Sequence, residues 1–316
     1  MRNSQSRPPP SQIAAFAMFT LSRKRRAALS GSGNQKPLLV VHNFSWHDHS
    51  VKAAYAFIFG AALVASSHAG AAGQDEPLCA DRPGLATPTC TVPTGLVQAE
   101  ISGVNWSRNR SSEVIAEELT IGETAFKIGV TDYLHIEVAA APYVRSKVQE
   151  IGASDRASAF GDLTLAAKYR FPGLDGPLQL ALRPSLKIPT ARSPLGNGKV
   201  EAGLIIPIDY ALPRSTVTLG LSPELNIVAD DDGTGNHLAM TQVVAISAPL
   251  SDHISAAAEI SAEWDWAAER TGREYFLGGS IAYLMSEDFQ LDVGIVLGLN
   301  RPAADVELYS GMALRF

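Results

Sequence analysis

Acid–base or nucleophilic chemistry in this chain would have to start from three histidines that follow residue 73: His135, His237 and His253. A lipase or deacylase of the serine type needs a serine close to such a base. His237 has Thr234 nearby but no serine at a useful spacing, and His253 falls in a short connection. The run Asp230-Asp231-Asp232-Gly233 has the acidic start of a calcium loop, yet it lacks the bidentate glutamate that completes one. It reads as a solvated loop tip. Gly196-Asn197-Gly198-Lys199 lacks the leading glycine and the following helix of a phosphate loop. The two cysteines, Cys79 and Cys90, have no metal-ligand spacing. The expectation is therefore a protein that is not an enzyme, with neither cofactor nor metal.

The charged residues are more informative, because they recur on one face of an alternating pattern. A basic group comprises Lys127, His135, Arg145, Lys168, Arg170, Arg183 and Lys187. An acidic group follows: Glu201, Asp209, Glu224, Glu259, Glu263, Asp265, Asp292 and Glu307. Glu123, Glu137 and Asp162 sit among the basic set and Arg315 among the acidic set. On a closed sheet these would form a basic and an acidic wall facing each other across a lumen. Two outcomes stay open: a transverse field that favours polar solutes in transit, or pairing of the charges that plugs the lumen.

Those side chains must be carried by strands. In Phe289–Asn300, Phe289, Leu291, Val293, Ile295, Leu297 and Leu299 occupy one face, while Gln290, Asp292 and Asn300 occupy the other. That is the period of two of a β-strand. The same alternation recurs in about twelve stretches of 9 to 14 residues from Leu96 onward. The usual strand is about 5–6 residues long, and the longer runs suit a tilted strand crossing a bilayer. Short links at 130–133, 171–177, 213–216, 251–253 and 286–288 alternate with longer polar ones at 148–158, 190–199, 229–237, 268–273 and 300–304. That is the turn-and-loop asymmetry of outer-membrane barrels. Aromatics such as Tyr133, Tyr169, Trp266 and Tyr283 gather at strand ends, as interfacial girdles do. The fold expected is an all-β, transmembrane, up-and-down antiparallel barrel over residues 95–316. Pro142, Pro184, Pro207, Pro223 and Pro249 fall inside these strands and demand bulges or breaks. The phase of the second strand is ambiguous, since Ile121 and Phe126 fall on opposite faces.

Ahead of the barrel, Val51–Gly73 reads as a signal peptide: Lys52, an apolar stretch from Ala53 to Ala65, then small residues. The domains expected are a disordered extension over 1–50, a signal peptide over 51–71, a periplasmic segment over 72–94, and the barrel. About 50 residues before a signal peptide point to a true translation start near Val51. Residues 1–73 hold eight of the twenty-six basic and one of the thirty-two acidic residues, so the remainder carries a net charge of −13. That balance argues against nucleic acid as a partner. An oxidising periplasm favours a disulfide between Cys79 and Cys90.

Short motifs add a family resemblance. They are Asp81-Arg82-Pro83-Gly84, Pro93-Thr94-Gly95, Val97-Gln98-Ala99-Glu100, Phe126–Asp132 and Leu186–Thr190. Together they resemble the outer-membrane family named for the meta-pathway of phenol degradation. Ala191 stands where that family commonly has glycine, and Ile128 where a basic residue precedes Gly129. The resemblance implies the fold of that outer-membrane family, but not a substrate, because the family's name records genetic context. The function expected is a transporter or porin-like channel in the bacterial outer membrane for small molecules, aromatic or apolar compounds among them. The alternative is a closed structural or binding barrel; a soluble sandwich is a more distant third. Expected partners are outer-membrane lipid, the solute, and the assembly machinery that would read the C-terminal Phe316.

Overall fold

A computed structural model describes residues 77–173, 176–230, 234–267 and 270–316. The extension and signal-peptide readings over 1–71 lie outside the described residues. The described chain forms fifteen strands in one antiparallel sheet: β1 (Val97–Arg110), β2 (Val114–Thr131), β3 (Leu134–Ala140), β4 (Tyr143–Glu150), β5 (Ala153–Ala159), β6 (Leu163–Arg170), β7 (Leu178–Ile188), β8 (Glu201–Ile205), β9 (Ile208–Ala211), β10 (Thr218–Ala229), β11 (Asn236–Pro249), β12 (Ile254–Ala267), β13 (Arg270–Ser286), β14 (Phe289–Gly298) and β15 (Val306–Arg315). β1 pairs with both β2 and β15, so the sheet closes on itself. The pairs β3/β4, β5/β6 and β8/β9 are each one crossing broken in two, so the barrel has twelve crossings. The last residue locks the seam: Val97 and Phe316 exchange backbone hydrogen bonds of 2.8 Å each way.

The polarity of the wall is inverted relative to a soluble sandwich. Leu277, Ile281, Val293 and Ile260 are about half exposed on the outside, whereas Lys127, Lys168 and Lys187 are at most 1% exposed inside. Only a low-dielectric surround makes such an apolar outer belt favourable. Tyr133, Tyr169, Tyr210 and Tyr283 face outward at the end carrying the short turns, with Trp266 and Tyr275 at the other end.

The alternation slips by one residue at a single level in four adjacent crossings. In β1 the inward set changes from Gln98, Glu100 and Ser102 to Asn105 and Ser107, across a register shift at Gly103. In β2 the slip falls at Gly122, whose φ of +70° favours glycine. There Thr120 and Lys127 both face inward, which resolves the ambiguous phase of that strand. The next crossings break at Ala141-Pro142 and at Phe160–Asp162. Register places all four together: Ser102 opposes Glu123, Ile121 opposes Tyr143, and Val144 opposes Ala159. Pro142 therefore costs no ladder bond within a strand; it marks the break. Pro207 likewise separates β8 from β9, and the Ala181 amide donates to its carbonyl (2.9 Å).

Two expectations need correction. Arg145 does not face the lumen: after the slip at Pro142, Val144 is buried on the inner side and Arg145 is exposed outside. The expected long loop over 148–158 is instead mostly strand, since β4 and β5 form a hairpin turning at Ile151-Gly152. β13 similarly extends through 270–273.

Candidate solute pathway through the barrel

Residues 77–94 form the centre of the site. The sequence reading made this stretch part of a periplasmic segment over 72–94. The structure places it inside the lumen, because its polar groups find their partners there. Cys79 and Cys90 are joined by a disulfide that closes it into a ring. Asp81 reaches two buried lysines: Lys127 at 2.7 Å and Lys168 in a shorter contact. Burial alone would raise the Asp81 carboxyl, but these lysines hold it well below the usual carboxylate range. Arg82 pairs with Asp292 (2.8 Å) and donates to Ser102. The Leu85 and Ala86 amides donate to the Glu259 carboxylate at 2.8–2.9 Å. Gly84, at φ +116°, leaves the room that carboxylate needs. Thr89 donates to Asp209 through its amide and its hydroxyl (2.8 Å each). The Val92 amide donates to His135 Nδ1 (3.1 Å), and the Thr94 hydroxyl donates to Asp132.

The quoted motifs now have physical roles. Lys127, Gly129 and Asp132 are three contacts of the Phe126–Asp132 motif with the inner segment. A Cβ at Gly129 would run into the Pro93 carbonyl, so only glycine lets the segment pass. In the Leu186–Thr190 motif, Lys187 pairs with Glu201 (2.8 Å) and Asp162 (3.6 Å). Thr190 accepts from the Leu163 amide (3.0 Å) and thereby bridges two strands.

The segment divides the lumen. On the side of the longer loops, a cavity of about 290 Å³ is lined by Glu123, Glu224, Glu263, Glu307 and Tyr309 together with Val228 and Val243. On the periplasmic side, a second cavity of about 290 Å³ is lined by Thr218, Gly220, Ser247, Ser255 and Ser280. Arg82, Pro83 and Thr87 line both, so this strip of backbone is the partition.

Most of the residues singled out by alternation do face inward. Lys127, His135, Lys168 and Lys187 are buried in the lumen, and Arg183 is bound to Glu137 (2.7 Å). Arg170 sits at the periplasmic rim, its guanidinium over the Tyr133 ring at 5.3 Å. Glu201, Glu259, Glu263, Asp265, Asp292 and Glu307 are buried inside, with Asp209 and Glu224 half-buried beside them. The basic residues do not form a bare wall: Lys127, Lys168, Arg183 and Lys187 each touch a carboxylate. Sequence reasoning missed Asp81, Arg82 and Thr89 as lumen residues. Their density of polar and conformationally special types, Asp-Arg-Pro-Gly within a disulfide ring, was the available signal.

Comparison with known proteins is consistent with this architecture. An outer membrane channel from Pseudomonas putida F1 is similar with a TM-score of 0.61 at 16% identity, covering 74% of this chain and 99% of that one. The translocator domain of the autotransporter NalP from Neisseria meningitidis matches with a TM-score of 0.47 at 14% identity, over 84% and 98% of the two chains. The first likeness supports the fold; the second is too distant to carry an argument. No curated protein matches the sequence. The barrel closure, the apolar belt and the fold likeness place the protein in the bacterial outer membrane. The model of the family described as the MetA-pathway of phenol degradation matches residues 80–316, and the chain belongs to that family.

Proposed function

We propose that the protein is a gated outer-membrane channel for small molecules, in which residues 77–94 are the gate. The observation that carries this reading is the pair of cavities on opposite sides of one thin strip of chain. The strip is held by side-chain contacts that can break, not by continuous strand pairing. The mixed lining, with carboxylates beside Val228, Val243 and Tyr309, suits compact solutes that have both a polar and an apolar part. The family's link to phenol degradation supports aromatic compounds as members of that class. The role is passage, not catalysis: His135 is committed to the Val92 amide, and His237 is bracketed by Asp230 (2.6 Å) and Asp265 (3.0 Å). The C-terminal Phe316, bonded to β1 at the seam, is the element the assembly machinery would read.

A closed structural barrel is the competing reading, favoured by the number of bonds that hold the segment. Proteoliposome swelling separates the two. With the disulfide reduced and the segment loosened, a channel admits small polar solutes and the vesicles swell. A structural barrel gives no swelling under either condition.

A further inference from the structure

We propose that the outer cavity is a binding site for small organic cations, specifically a primary ammonium carried on a compact aromatic or aliphatic body. The site is built on β15, β1 and β2. Ser107 of β1 directly opposes Glu307 of β15 on one side and Glu118 of β2 on the other, so three inward polar residues form a row. One step inward along β1, Asn105 donates its Nδ2 to Glu307 (2.9 Å). A carboxylate only accepts, so this bond fixes the amide orientation and leaves Asn105 Oδ1 as the free acceptor. That oxygen has no hydrogen-bond partner although the residue is only 7% exposed. Across the cavity, Ser261 is 2% exposed and its hydroxyl is also unpartnered. Unsatisfied buried polar atoms are uncommon in folded proteins and point to a missing partner.

The missing partner should be positive. Glu123, Glu224 and Glu307 line the cavity, and no ion pair reaches any of them among the described residues. The nearby bases are already engaged: Lys127 by Asp81 and Glu100, Arg183 by Glu137, and Arg82 by Asp292. An ammonium offers three N–H donors, for which the lining presents the carboxylates of Glu123, Glu224 and Glu307 and the free amide oxygen of Asn105. A metal ion fits less well, since no group of three or more ligating side chains is placed to hold one among the described residues. Val228, Val243 and Tyr309 supply apolar surface for the body of the ligand. A cavity of about 290 Å³ suits a small one.

Calorimetric titration of the full-length, disulfide-intact protein in detergent tests this, with benzylammonium as the probe and benzyl alcohol and benzoate as its neutral and anionic counterparts. Saturable binding of benzylammonium at least tenfold tighter than either counterpart supports the site. Glu307→Gln and Asn105→Ala should each weaken it tenfold or more. Glu117→Gln, on the outer face beside Lys147, should leave it unchanged. Equal binding of benzyl alcohol overturns the proposal, as does wild-type affinity in both cavity variants. Exclusive binding of calcium that benzylammonium cannot displace also overturns it. Heat-modified gel migration reports folding; if a cavity variant fails to fold, the three-probe comparison on the wild type decides. Because binding is read rather than passage, a protein that binds the probe but never conducts refutes the channel reading alone.

Discussion

Replacing Asp81 with asparagine should open the barrel. Asp81 bridges Lys127 and Lys168, both of which are almost fully buried. Lys127 keeps Glu100 after the substitution, but Lys168 keeps only the Pro88 carbonyl at 3.0 Å among the described residues. Stripping one partner from a buried charge pair costs about 3–5 kcal/mol. The Asp81 side chain is 18% exposed and asparagine can still accept one hydrogen bond, so the lower end applies. About 3 kcal/mol corresponds to on the order of a 100-fold change in the docked-to-released ratio of the segment. Single-channel recording in planar bilayers reads that ratio as open probability, and limited proteolysis of residues 77–94 reads it independently. Asp81→Glu, which keeps the charge, should lie between the variant and the wild type. An Asp81→Asn barrel that stays as closed and as protease-resistant as the wild type would refute the claim that this ion pair holds the gate.

Three further outcomes follow from the same geometry. The Asp81 carboxyl is held below its ordinary value, so its contribution to docking is complete above about pH 4 and is lost only as pH falls through the depressed value. Open probability should therefore be flat from pH 7 to about pH 5 and rise in stronger acid, with no such rise in Asp81→Asn. Leu277→Arg puts a charge on the outer belt and should lower stability in lipid vesicles by about 2–4 kcal/mol in urea titrations. Gly122→Val forces a β-branched residue to φ +70°, with Pro142 Cγ 3.1 Å from the new Cβ. A loss of at least about 1–2 kcal/mol is expected, with the barrel still inserted.

The barrel was legible because its strongest signal is local. Alternation in stretches such as Phe289–Asn300 needs no long-range information, and the twelve crossings follow from it with ends within a few residues. Arg145 shows where that reasoning stops. A one-residue slip inverts every later side chain in a strand, and the slip at Pro142 lines up with those at Gly103 and Gly122, which only the register of neighbouring crossings brings to the same level. The lumen charges were likewise legible as a face but not as pairs: that Lys187 meets Glu201 depends on the register between consecutive crossings, and that Arg183 meets Glu137 depends on reach across β6. The inner segment was the least accessible. Residues 77–94 have no period, and their placement depends on contacts up to 238 residues away, as between Pro77 and Arg315. Asp81 and Arg82 were visible within a motif, yet nothing local said that their partners lay inside the barrel.

The direction in which side chains face along each crossing underlies the location, the lumen and the gate alike, and site-directed spin labelling in lipid vesicles measures it. Labels placed one at a time from Glu259 to Ala267 on β12, and from Gly278 to Ser286 on β13, are each tested against oxygen, which concentrates in lipid, and a water-soluble nickel chelate. The account predicts high oxygen contact at Ile260, Ala262, Trp264 and Ile281, with low oxygen contact at Glu259, Ser261, Glu263 and Ser280, alternating residue by residue. The opposite alternation, or none, would contradict it.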